Sequence, residues 1–192
     1  MRKTMISIVI LMSVFIIGCS NTNDKIGKSI KCVEILDNRF SNFQISYNDY
    51  MKEIIDIFSS RYFTEADHIK RNHGHAPDMN KEIYTECYKL ADKDVIRYDC
   101  EIQISKVYDL KDDTKVVFTK TKLVYKDKKL GIDYITKKYY LINEDNSWKI
   151  IGRDGKVYSE YANKFKKTSK TLFETFNNKP IEYIQTVNPF SE

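Results

Sequence analysis

Glycine and proline are scarce, six and three in 192 residues. That excludes a collagen-like or flexible low-complexity chain and points to long regular elements. There is no Gly-rich phosphate loop, no Gly-x-Ser-x-Gly elbow and no His-Glu-x-x-His helix, so the short motifs that announce phosphate binding, a serine nucleophile or a zinc hydrolase are missing. No internal repeat is present. A strong excess of one charge is lacking too: 32 Lys and Arg stand against 27 Asp and Glu, a balance too even to argue for nucleic acid.

What is present begins with a gradient at the N-terminus. Arg2 and Lys3 precede thirteen residues, Met5 to Ile17, that hold nothing more polar than Ser7 and Ser13. A positive end followed by a short apolar stretch is the pattern of a secretory signal. Thirteen helical residues rise about 20 Å against a hydrocarbon core of roughly 30 Å, so a permanent span is not expected. The stretch closes on Ile16, Ile17, Gly18 and Cys19, which resembles the lipobox of bacterial lipoproteins. The resemblance implies a diacylglyceryl group on the Cys19 thiol and cleavage just before it. One acyl chain holds only marginally, whereas two make a stable anchor. Removing residues 1–18 leaves 174 residues, the size of one domain with a tether and a tail. The Ile-, Lys-, Asn- and Tyr-rich composition is similar to that of low-G+C Gram-positive bacteria, which implies a lipid on the outer face of the cell membrane.

Three cysteines follow the anchor: Cys32, Cys87 and Cys100. An odd number cannot all pair internally. If residues 83–90 and 95–104 form a hairpin, Cys87 faces Tyr98 and Thr85 faces Cys100. The two thiols are then diagonal neighbours roughly 7 to 8 Å apart, too far for the 3.8 Å or so between bridged Cβ atoms. A slip of one residue brings them opposite each other. Cys87 and Cys100 are thus a candidate disulfide beside the reading of buried free thiols. His68, His73 and His75 share a polar loop, but their spacing and the lone Asp78 complete no zinc pattern, so no metal and no cofactor are expected.

Ser20 to Ser29 is polar and without periodicity, as a flexible spacer is, and Ile30 to Ile45 fits no clean period. Ser46 and Asp49 resemble a capping box. Tyr50, Met51, Ile54, Ile55, Phe58 and Tyr62 then predict a helix over 47–62, with Thr64 and Asp67 opening a short second one. From Ile83 the period falls to two, and Ile96 to Ile104 alternate with polar residues as a half-buried antiparallel strand does. Val116–Tyr125, Ile132–Ile142 and Trp148–Ile151 continue the series, with turns at 126–131 and 143–147. Gly152 and Gly155 break the chain, and Val157, Tyr161, Phe165, Leu172 and Phe176 recur at helical steps to about 177. Ile181 to Glu192 either adds an edge strand or stays loose.

The expected fold class is α+β: N-terminal helices packed on a strongly curved, cone-like antiparallel sheet, plus a C-terminal helix. Two helices, a meander of long strands and the closing YYLINEDNSWKIIGRDG resemble the nuclear transport factor two-like superfamily. The expected divisions are a signal peptide at 1–18, a lipidated tether at 19–29, the α+β domain at 30–155, and a C-terminal helix and tail at 156–192. In that superfamily the cone serves as an active site in some members and as a binding or assembly surface in others, and fold alone does not choose.

The function read from these features is a non-catalytic binding or assembly module, lipid-anchored on the extracytoplasmic face of the cell membrane. Its partners are the membrane through its anchor and a protein or an anionic surface polymer, with no nucleic acid. Lys120, Lys122, Lys126, Lys128, Lys129, Lys137 and Lys138 fall on two adjacent strands and their turn, the candidate basic face. The alternatives are an isomerase- or dehydratase-like enzyme using an apolar cone, with Asp99, Asp133 and the tyrosines as candidate groups, and a small-ligand-binding lipoprotein.

Overall fold

The computed structural model describes residues 22–62, 80–161 and 171–191. Its first element, α1 (Thr22–Ser41), buries Ile26, Ile30, Val33, Leu36 and Phe40 along one side. Those steps of three and four residues are an apolar helical stripe. The stretch expected to be a spacer is therefore helical from Thr22 onward. Its polar residues Lys25 and Lys28 face solvent while Ile26 and Ile30 are fully buried, and two isoleucines four apart were too sparse a signal to register.

α2 (Tyr47–Ile54) starts as expected: the Ser46 hydroxyl accepts from the Asp49 amide at 3.1 Å and satisfies one orphan N–H of the first turn. It stops eight residues short of the expected end. Beyond it the Ile57 carbonyl accepts from the Ile150 amide, and the Ser59 amide donates to the Ile150 carbonyl. Phe58 is thus held beside a strand in a parallel bridge instead of on a helix. The short helix from Thr64 and the three histidines lie outside the described residues.

α3 (Lys81–Leu90) replaces the expected strand at 83–90. Asn80 caps it by accepting from the Ile83 amide at 2.9 Å. Tyr84 stacks on Phe40 with ring centroids 3.9 Å apart, and its hydroxyl donates to the Phe40 and Ile45 carbonyls. Helical packing of Tyr84 on α1 overrides the short alternation of Ile83, Thr85 and Cys87.

The sheet is formed by β1 (Tyr98–Ser105), β2 (Tyr108–Asp109), β3 (Lys115–Tyr125), β4 (Ile132–Glu144) and β5 (Ser147–Ser159). β6 (Thr175–Phe176) and β7 (Lys179–Pro180) make a separate small hairpin, and β8 (Tyr183–Val187) returns to the sheet. All pairings are antiparallel, in the order β5-β4-β3-β1-β8 with β2 beside β3. The sheet is open, with β5 and β8 at its edges, and is not strongly curled, which corrects the expected cone. The tail supplies an edge strand, one of the two outcomes expected for it.

Asp145 and Asn146, both at positive φ, turn β4 into β5, the two-residue geometry that matches strand twist. Gly152 and Gly155 do not end the strand. They sit inside β5, and a Cβ on Gly152 would lie 3.3 Å from the Tyr140 ring, so glycine there admits a close approach. Val157 and Tyr158 accordingly complete β5, Glu160 and Tyr161 beyond it are helical, and Thr175–Phe176, expected at the end of the C-terminal helix, is strand. Residues 162–170 lie outside the described residues.

One core fills the space between the three helices and the inner face of the sheet. A smaller cluster of Val116, Phe118 and Ile181 lies on the outer face under the β6–β7 hairpin.

Candidate functional site

Beneath α1, four charged side chains meet on the inner face of the sheet. Glu34 and Asp37, three residues apart on α1, face Lys137 of β4 and Arg153 of β5. The Lys137 ammonium lies 2.8 Å from Glu34 Oε2 and 3.5 Å from Asp37 Oδ2, and Arg153 Nη1 bonds Asp37 Oδ2. Glu34 Oε1 accepts from the Tyr139 hydroxyl at 2.7 Å and from the Thr119 hydroxyl at 2.6 Å. Asp37 Oδ1 accepts from the Tyr50 hydroxyl at 3.1 Å. Both carboxylates are buried. Next to them the Asn42 amide donates to the Tyr98 hydroxyl at 2.6 Å, and the Cys100 thiol points at Asn38 Oδ1.

Two negative and two positive groups balance, and the hydroxyls satisfy the remaining carboxylate lone pairs, the condition under which burying ions is tolerable. Burial pushes the Asp37 carboxyl up, but the charges of Arg153 and Lys137, with bonds from Arg153 and Tyr50, outweigh it and hold the group below its ordinary range. Burial, and then the Glu34 charge, lifts the Tyr139 hydroxyl well above its usual value and the Cys100 thiol to about 12. A general acid or base works best with its pKa near neutrality. Asp37 is moved away from that range, and so are Tyr139 and Cys100.

An accessible recess lies on the other side of α1. A cavity of about 540 Å³ has a floor of Cys32, Ile35, Leu36 and Ile45, with Lys28 and Lys31 on one wall and Asp49 and Glu53 on the other. Burial, and then the Glu53 charge, raises the Cys32 pKa, so this thiol is a poor nucleophile.

Cys87 sits half-buried on α3 and Cys100 is buried on β1, and all three described cysteines are free. The hairpin that would have brought Cys87 to Cys100 does not exist, because residues 83–90 are helical. Cys19 lies outside the described residues. Asp99 is exposed and paired with Lys126 at 3.1 Å, and Asp133 accepts from the Tyr125 hydroxyl at 3.0 Å. They are not brought together with each other or with the inner network. Among the described residues no group of three metal-ligating side chains is gathered, and no described helix is long and apolar enough to cross a membrane.

The candidate basic face divides. Lys137 faces inward to the network, Lys120, Lys122 and Lys138 point outward, and Lys126, Lys128 and Lys129 stand exposed on the β3–β4 turn. Lys156 of β5 joins the outer set. Sequence reading missed Glu34, Asp37 and Arg153. The signal available for the two acids was their place on the apolar side of a helix, between Val33 and Phe40.

Comparison with known proteins returns no match: no family model, curated protein or solved structure is similar to this chain.

Proposed function

We propose that this chain is a lipid-anchored protein of the extracytoplasmic membrane face that acts as a binding or assembly module. The observation that carries the non-catalytic part is the closed balance of Glu34, Asp37, Lys137 and Arg153 under α1. Glu34 and Asp37, placed where the sheet and its covering helices would enclose a reactive group, are committed to Lys137 and Arg153. The anchoring part rests on Arg2 and Lys3, the apolar Met5–Ile17 and the Gly18-Cys19 junction. The order of helices followed by a strand meander keeps the nuclear transport factor two-like likeness as part of this reading, on an open sheet instead of a cone. The small-ligand alternative has the α1–α2 recess in its favour, whose apolar floor and charged walls suit an amphiphile.

Labelling with radioactive palmitate and fractionating the cells tests the anchor. Wild-type protein is expected to carry label and sediment with membranes, and the Cys19→Ala variant to lose both. Label retained by that variant removes the basis of the anchoring proposal.

A further inference from the structure

The outer face of the sheet carries a feature that the inner network does not use. Strand register places Lys122, Tyr134 and Tyr158 in one row across β3, β4 and β5, and Lys120, Thr136 and Lys156 in the next. Adjacent strands lie about 4.8 Å apart and alternate residues about 6.8 Å apart, so five of these side chains fall within the footprint of one or two sugar rings. The Tyr134 and Tyr158 rings lie 6.3 Å apart and are half-exposed. Among the described residues no other ring packs on either of them, and Lys120, Lys122 and Lys156 make no ion pair. Two acids share this face without an ion pair to these lysines: Glu101, opposite Lys122 in the strand register, accepts from Gln103, and Asp154, opposite Lys138, accepts from the Tyr140 hydroxyl.

The edge of this patch is raised. The Phe173 amide donates to the Thr136 hydroxyl at 3.1 Å, and Phe173 and Phe176 pack on Phe118, so the segment leading to the β6–β7 hairpin stands above the sheet beside the tyrosine row. Lys156 lies over the Phe173 ring at 4.6 Å, at the foot of that step. The segment covers Thr136, between Lys120 and Lys156, and so breaks the flat face that a bilayer would need, leaving the tyrosine row beside it as a narrow ledge that suits a thin polymer strand. Partly exposed tyrosines offer some of their apolar face to a flat ring, and lysines outside ion pairs attract anions.

We propose that the Tyr134–Tyr158 ledge, bordered by Lys120, Lys122 and Lys156, binds an anionic polysaccharide, its sugar rings on the tyrosines and its acidic groups on the lysines. This builds on the binding-module reading and names the surface and the ligand class.

The test is affinity electrophoresis and titration of the full chain carrying Cys19→Ala, so that the outcome is independent of anchoring. The probes are polygalacturonate, neutral dextran, long-chain polyphosphate, phosphatidylglycerol vesicles and oligo-dT. Polygalacturonate is expected to bind best, with affinity falling as salt rises, and dextran not to bind. Lys120→Glu with Lys122→Glu is expected to weaken polygalacturonate by about tenfold or more, a loss of about 1.4 kcal/mol, while Lys128→Glu with Lys129→Glu on the turn leaves it unchanged. Tyr134→Ala should weaken polygalacturonate and spare polyphosphate, and Tyr134→Phe, which keeps the ring and the fold, should restore binding. Tighter binding of vesicles or oligo-dT, equal loss from the two lysine pairs, or no binding of polygalacturonate overturns the proposal. None of those results bears on palmitate labelling.

Discussion

Lys137 and Lys138 are consecutive residues on β4 and project from opposite faces of the sheet. Lys137 enters the core, where two carboxylates meet it. Lys138 stays outside, its ammonium over the Phe118, Tyr140 and Phe176 rings, with no acid in pairing distance among the described residues. One step of strand register therefore separates a lysine whose charge is matched inside the fold from one whose charge faces outward. The inner face carries the buried charge balance, and the outer face carries the proposed recognition surface. Substitutions on the two faces should accordingly move different measurements.

The largest effect is expected from Arg153→Ala. It leaves Asp37 buried with only Lys137, at 3.5 Å, to balance it, and removing one partner of a buried pair typically costs about 3 to 5 kcal/mol. Urea denaturation should show a lower midpoint with an unchanged slope. A cost below about 1 kcal/mol would mean that water reaches the network and that the contrast between the faces is weaker than the geometry implies.

Acid should act through the same residue. The Asp37 carboxyl is lower in the fold than its ordinary 3.8, so as pH falls the unfolded chain takes up the proton first. The stabilisation from Asp37 is thus full above about pH 5 and disappears as pH drops below 4 toward the depressed folded value. Denaturation curves between pH 6 and pH 3 should show wild type losing stability over the lower part of that range, and Asp37→Asn losing less. Parallel curves for the two proteins would place the acid-sensitive group elsewhere. A smaller change is expected from Tyr50→Phe, which removes one hydroxyl donor from Asp37. A hydrogen bond to a charged group is worth about 1.5 to 3 kcal/mol, and the 3.1 Å length puts this one at the lower end.

The sequence made the two faces unequally legible. On β1 the alternation of Cys100, Ile102 and Ile104 with Asp99, Glu101 and Gln103 gave both the strand and its buried side, because a half-buried strand must alternate. The Ser46 cap and the 143–147 turn were equally plain, since each depends on local chemistry. The helices α1 and α3, which both precede the periodic region, were not. α1 carries two acids on its buried side, which interrupts the apolar stripe that marks a helix, and their partners lie about a hundred residues away. α3 carries apolar residues at both helical and strand spacing, and only the long-range stacking of Tyr84 on Phe40 decides between them. β4 and β5 present polar residues to both faces, so the parity of Lys137 and Lys138 was set by pairing partners that pattern reading does not see. The seven-lysine face was therefore drawn too wide, and it omitted Lys156.

The smallest effect on stability should come from the outer face, and there the smallness is itself informative. Lys122 is exposed, Lys120 is half-buried, and neither makes an ion pair among the described residues. Exposed substitutions away from caps and buried networks usually change stability by no more than about 0.5 kcal/mol. Lys120→Glu with Lys122→Glu should therefore leave the denaturation midpoint close to that of wild type. A marked destabilisation would show that these lysines hold the sheet to something, and the division between a structural face and a recognition face would fail. A stable variant that still binds polygalacturonate would keep the division and move the recognition surface off β3. A stable variant that has lost binding is the result that the register of β3, β4 and β5 leads to, because lysines that make no ion pair among the described residues are then the ones that make one with the ligand.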